Sequence, residues 1–243
     1  MKKIFRIALI IVLILVAGFL IWAETPAQAD SEAIQALNSD SVVTITQHNG
    51  WYIFSPTDQN PQTGLIFYPG GRVDEKAYSL VLREIAAQGY WVVLVPMPLN
   101  LAVFNSDAAG EIQATFPEIQ SWAVGGHSLG GAIAANFAAA NPGMLDGLVL
   151  WASYPTGSDN LTQSGLKVVS IFASLDGLTT EEKIDASRVL LPAETLWVEI
   201  QGGNHAQFGN YGVQAGDNPA TITREEQRQK VVDATVKMLE MLQ

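Results

Sequence analysis

The sequence contains no cysteine. That removes disulfides, thiolate metal sites, a cysteine nucleophile and N-terminal lipoprotein acylation together. Basic residues are also scarce: 13 Lys and Arg against 24 Asp and Glu leave a formal net charge of −11. No basic cluster lies beyond the N-terminus, so a nucleic-acid partner is not expected, and an anionic lipid surface would repel the folded part. Only three histidines occur, His48, His127 and His205, so any imidazole chemistry has three candidates. What is plentiful is apolar: 48% of the 243 residues are hydrophobic and 15% charged, enough for one sizeable α/β domain with a full core.

The first residues are unlike the rest. Lys2, Lys3 and Arg6 precede an uncharged run of 17 residues from Ile7 to Ala23, about 25 Å long as a helix. Its length favours a retained membrane anchor over a signal peptide. Ala27-Gln28-Ala29 nevertheless offers a small-x-small site for signal peptidase, so a product secreted after cleavage near Ala29 is the alternative. Either way the flanking positive charge places the remainder outside the cytoplasm. The expected organisation is a signal-anchor or signal peptide over 1–29, a polar, helical lead-in over 30–41 and one catalytic domain over 42–243.

Within that domain, Val42–Thr46 and Trp51–Phe54 are β-rich and joined through Asn49-Gly50, which predicts an antiparallel hairpin at a sheet edge. Thereafter short apolar strands alternate with helices, the pattern of a parallel sheet covered on both faces. The strands expected are Leu65–Tyr68, Trp91–Val95, Trp122–Gly125, Leu148–Trp151, Val168–Phe172 and Leu196–Ile200. Helices are expected over Glu75–Gln88, Ala108–Phe116, Leu129–Ala140, Thr180–Leu190 and Thr223–Leu242, the last as a packing helix.

The stretch that organises the domain is Gly126-His127-Ser128-Leu129-Gly130. It is a G-x-S-x-G pattern between a short apolar strand and an alanine-rich helix, the context of a nucleophile elbow. Ser128 is therefore the candidate nucleophile, and it needs a base. His48 reads as a residue of the hairpin turn. His127 is bonded next to Ser128 and should point away from it, as packing. His205 lies just beyond the carboxyl end of the last strand, where sites in parallel sheets are built. For the carboxylate that orients it, Asp176 follows a strand at the same end. Asp146, the main rival, precedes its strand at the opposite edge, and Asp217 falls after His205. Glu181, Glu182 and Asp185 read as the solvated start of a helix.

The order Ser128, Asp176, His205 is that of the alpha/beta hydrolases, which the chain resembles over Val42 to Gln243. Phe67-Tyr68-Pro69-Gly70-Gly71-Arg72, Gly125-Gly126-His127-Ser128-Leu129-Gly130-Gly131 and Gly203-Asn204-His205-Ala206-Gln207-Phe208-Gly209 resemble a small, membrane-anchored bacterial branch related to dienelactone hydrolases. Those use a cysteine nucleophile, so their lactone specificity does not carry over. The resemblance implies an alpha/beta hydrolase fold and an oxyanion hole built from the Leu129 N–H and a donor in Pro69-Gly70-Gly71, with Gly71 the match and Arg72 the alternative. It also implies hydrolysis of a small-molecule ester, less readily an amide, through an acyl-enzyme, with no metal and no organic cofactor. Acyl transfer to an alcohol is open, and so is a non-catalytic binding protein on the same scaffold. The loop between Trp151 and Lys167 is too short for a helical lid. The apolar loop carrying Leu99, Leu101 and Phe104 is the expected substrate pocket, with a buried connection as its other reading.

Overall fold

A computed structural model describes residues 2–243. Its frame is one eight-stranded sheet in the order β1-β2-β4-β3-β5-β6-β7-β8. The strands are β1 (Val43–His48), β2 (Trp51–Pro56), β3 (Thr63–Tyr68), β4 (Trp91–Leu94), β5 (Ser121–His127), β6 (Gly147–Trp151), β7 (Lys167–Ala173) and β8 (Leu196–Ile200). β1 pairs antiparallel with β2, and β2 with β4; every other pairing is parallel. This is the alpha/beta hydrolase fold read from the sequence. At the hairpin, Asn49 (φ 51°) and Gly50 (φ 87°) both take positive φ, as a two-residue turn matching the sheet twist requires.

Among the described residues, seven α-helices accompany the sheet: α1 (Lys2–Ala23), α2 (Ser31–Gln35), α3 (Ser79–Ala87), α4 (Ala108–Thr115), α5 (Leu129–Ala140), α6 (Glu181–Ser187) and α7 (Arg224–Leu239). The helix expected from Glu75 opens as a 3₁₀ turn over Glu75–Tyr78 before α3. Those expected to reach Leu190 and Leu242 likewise close on 3₁₀ turns.

The central strands are buried along nearly their whole length and mostly apolar because both faces are covered. Along β3 the side chains alternate. Leu65 and Phe67 pack with Leu82, Ile85, Val231 and Leu239 of α3 and α7. Ile66 and Tyr68 pack with Ile112, Ala134 and Phe137 of α4 and α5. Each fully buried side chain of this size contributes about 1.5–3 kcal/mol, so both cores fix the register of the sheet.

The lead-in packs on this body. Asp30 caps α2 by accepting from the Ala33 N–H at 3.0 Å, Ala33 is buried, and Arg83 of α3 donates to Ala36 O at 3.1 Å and Asn38 O at 2.7 Å. In α1 every described side chain up to Trp22 is exposed and Ala23 is buried. At 22 residues, the helix is about 33 Å long.

Candidate active site

Ser128 sits between β5 and α5 with φ 51° and ψ −120°, a conformation that costs an L-residue of order 1–3 kcal/mol. The surrounding glycines make it possible. A Cβ at Gly126 would stand 2.5 Å from Gly130 C and 2.6 Å from Tyr68 O, and one at Gly130 would collide with the Tyr68 and Pro69 carbonyls. The turn is held from behind: Ser128 N–H donates to Trp151 O (3.0 Å), and Ser153 Oγ donates to Ser128 O (2.7 Å). Ser128 Oγ is hydrogen-bonded to no described residue, His205 included. In ligand-free hydrolases that bond is often long and tightens only around substrate.

His205 and Asp176 are in direct contact. His205 Nδ1 lies 2.7 Å from Asp176 Oδ2, with side-chain exposures of 1% and 0%. The other carboxylate oxygen, Oδ1, accepts from Leu178 N–H at 2.8 Å and Thr179 N–H at 2.6 Å. The carboxylate is thus fixed on both oxygens. Because Oδ2 accepts, the imidazole proton belongs on Nδ1, which leaves the lone pair on Nε2. Asp146 lies elsewhere: its Oδ2 accepts from Trp122 N–H (2.9 Å) at the start of β5, the edge of the sheet away from the elbow.

Two positioning residues had no signal in spacing or periodicity. Asp217 Oδ1 accepts from Gly177 N–H (3.1 Å) while its Oδ2 accepts from Ala206 N–H (2.9 Å), so one side chain joins the Asp176 and His205 loops. Gln227 of α7, fully buried, accepts from Asn204 N–H (3.0 Å) and donates to Asn204 O (2.8 Å). α7 therefore holds the histidine loop as well as packing on the sheet.

Gly71 adjoins the elbow, its Cβ position lying 2.9 Å from Leu129 Cδ2. Its N–H has no acceptor among the described residues, and neither has that of Leu129, the first residue of α5. Arg72 N–H, the alternative donor, is committed to Asn100 O at 2.8 Å. The expected pocket residues are not among those that line the serine's cavity. That cavity, of about 300 Å³, is lined by Ser128, Leu129, Ala132, Ala152, Tyr154 and Leu178 among others. Leu99, Leu101 and Phe104 do not line it. Leu101 packs beside Gly71, while Phe104 is half exposed. The apolar loop runs on the Gly71 side of the elbow, and the space opens toward the loops after β6 and β7.

His127 is buried under His205, ring centroids 4.5 Å apart, and stacks on Phe208 at 5.5 Å. Burial, with His205 adding to it, holds its pKa well below the ordinary imidazole value. Burial also pushes the Tyr78 phenol well above its usual range. That phenol keeps its proton, accepts from Gly70 N–H (3.0 Å) and donates to His127 Nδ1 (2.8 Å). The pair pins the start of the Gly70-Gly71 loop. An imidazole that titrates near 6.5 when unfolded but lower when folded gives the unfolded chain more bound protons under about pH 6.5. Stability is therefore full above that pH and falls below it, by up to about 1.4 kcal/mol per pH unit until the folded pKa is reached. Thermal unfolding of wild type and His127→Gln at pH 7.5 and 5.5 checks this: the variant should lose fewer degrees on acidification. An equal loss would remove His127 as the source.

The model of the family described as "Alpha/beta hydrolase family" matches residues 64–229, most of the chain, from β3 to the first turns of α7. The chain belongs to the alpha/beta hydrolase family. Its fold is similar to that of the esterase domain of a Rhodothermus marinus protein (14% identity, TM-score 0.58, covering 81% of this chain and 97% of that one). A predicted CIB-like hydrolase from Thermoplasma acidophilum is also similar (13%, 0.54, 80% and 97%). So is an alpha/beta hydrolase enzyme from the metagenome of Mar Chica lagoon sediments (17%, 0.55, 68% and 91%). No curated protein sequence matches the chain.

Proposed function

We propose that this protein is an extracytoplasmic serine hydrolase, tethered by α1, that cleaves small carboxylic esters through an acyl-enzyme. The observation that carries the reading is the buried His205–Asp176 pair at 2.7 Å, set at the same end of the sheet as the strained Ser128. Ser128 Oγ attacks the ester carbonyl and its proton passes to His205 Nε2, while Asp176 stabilises the imidazolium. The carbonyl oxygen becomes the oxyanion, held by the Gly71 and Leu129 N–H groups and favoured by the N-terminus of α5. Collapse breaks the bond to the leaving alcohol, which takes the proton from His205. Water, deprotonated by the same nitrogen, then releases the acid and frees Ser128. Amide cleavage and acyl transfer are variants of the same half-reactions.

The acyl group is assigned to the cavity beside Ser128. At about 300 Å³ it stands at the small end of ligand pockets. The loop over it is no lid: Asp159, 2% exposed, accepts from Asn136 Nδ2 of α5 (2.9 Å) and from Thr156 Oγ1 (2.5 Å), which pins the segment down. Each buried methylene contributes about 0.8 kcal/mol, so kcat/KM should rise over the first few acyl carbons and then level as the chain emerges into water. Measured with p-nitrophenyl esters of increasing acyl length, short acids should be best, without a jump above the micellar concentration. A long-chain optimum or interfacial activation would overturn this reading of substrate size.

A further inference from the structure

The segment that leaves the apolar helix does not hang free; it is stitched to the loop that carries Gly71. Arg72 is the centre of the seam. Its Nε donates to Trp22 O and an Nη to Thr25 O, each at 2.8 Å, and its guanidinium lies 4.4 Å from the Trp22 ring centroid. The Arg72 carbonyl accepts from Ala27 N–H (2.8 Å), and Ala27 O accepts from Asp74 N–H (2.9 Å), a two-sided bridge across Val73. Asn100, whose carbonyl takes the Arg72 N–H, donates its own Nδ2 to Ala23 O at 3.0 Å. Further along, Asp30 N–H donates to Asn210 O (2.8 Å) and the Asp30 carboxylate pairs with Arg224 (2.9 Å). Arg72 and Asn100 hold this arrangement at φ 56° and 54°, backbone that non-glycine residues occupy only when their surroundings impose it.

We propose that residues Trp22–Asp30 are a strap that positions the oxyanion loop, so that the protein works uncut, with α1 attached. The inference rests on the serine-hydrolase reading above. Gly71 follows Gly70, fixed by Tyr78, and precedes Arg72, fixed by the strap; its N–H direction is set by those two neighbours. Cutting at Ala29 would remove the carbonyls of Trp22, Ala23 and Thr25 and both bonds of Ala27, releasing one side of the loop. Arg72 and Asn100 are then positioning residues, acting on the oxyanion through Gly71. The strap also fixes where the site lies: the residue after Gly71 touches the last turn of α1, and the half-exposed Val103 and Phe104 follow just beyond Asn100. In a membrane-spanning chain that places the oxyanion edge of the site at the bilayer surface.

The test uses the full-length chain in nanodiscs, with active sites counted by a fluorophosphonate that labels Ser128. Arg72→Gln and Asn100→Ala should lower kcat per labelled site about tenfold or more, below the 10²–10³ of losing an oxyanion donor outright, with KM within about a factor of two. Arg72→Lys, which can still reach one carbonyl, should recover part of the loss. A purely structural role would reduce the number of labelled sites and leave kcat per site unchanged, and that result overturns the proposal. Should Arg72→Gln fold poorly, Ala27→Pro removes only one N–H of the strap and should show the same kcat loss in milder form. The intact mass of the protein extracted from membranes should include the residues before Asp30; a fully active product beginning at Asp30 overturns the strap alone. Wild-type protein that never labels at Ser128 refutes the serine-hydrolase reading, and the strap's catalytic role with it.

Discussion

Ser128→Ala and His205→Ala should each lose roughly 10⁴-fold or more in kcat toward a short ester. The two side chains act in one step, attack and proton removal, so the double variant should fall no further than the worse single one. The structural costs differ. Ser128 Oγ makes no hydrogen bond to any described residue, so removing it strands no partner and the fold should be untouched. His205 is 1% exposed and packed against His127, so its removal opens a cavity, at a cost of a few kcal/mol, and its variant must be shown folded before its rate is read. A fluorophosphonate should label wild type at Ser128 and leave Ser128→Ala unlabelled. Labelling elsewhere, or full turnover by Ser128→Ala, would return the chain to the class of binding proteins built on a hydrolase scaffold.

The second expected result separates two aspartates. Asp176→Asn should cost about 10³- to 10⁴-fold, and Asp146→Asn less than about twofold. The reason is tautomeric. The substituted carboxamide would keep its oxygen on the Leu178 and Thr179 N–H groups, which occupy Asp176 Oδ1 in wild type, and turn its NH₂ toward His205 Nδ1. That ring nitrogen would then have to accept, the proton would move to Nε2, and no lone pair would face the serine. Asp146 accepts one backbone N–H at the start of β5, a bond that asparagine can make equally well. Full activity in Asp176→Asn beside a dead Asp146→Asn would reverse the assignment of the acid.

What could be read in advance, and what could not, follows from the range of the interactions. The strands and the Asn49-Gly50 turn are legible because burial and turn sterics leave a local imprint. The elbow is legible because Gly126 and Gly130 answer to atoms a few residues away or on the neighbouring strand. The cavity is not. It forms where Ala152 and Tyr154, after β6, meet Leu178, after β7, and no periodicity records that meeting. The apolar Leu99–Phe104 loop stands out by composition, and in the fold Leu101 packs beside Gly71 while Phe104 is half exposed. Asp217 and Gln227 are equally silent in sequence, since each acts by hydrogen-bonding loops that the topology brings to it.

Backbone conformation adds a consequence for how such a chain can change. Among the described residues six non-glycine positions take positive φ; apart from Asn49 at the hairpin they are Arg72, Leu99, Asn100, Ser128 and Ala152. All five lie at the serine, on its cavity wall or along the seam beside Gly71. At roughly 1–3 kcal/mol each, they draw on stability that the two cores must supply. Selection for robustness and selection for turnover therefore fall on largely separate residues, with Tyr78, Ala152 and Phe208 belonging to both core and site. Repacking around Leu82, Ile85 and Leu239, with Tyr78 and Gln227 kept, can raise the melting temperature and leave the mouth as it is. Relaxing the mouth with glycine would trade the shape that makes it work for the same few degrees.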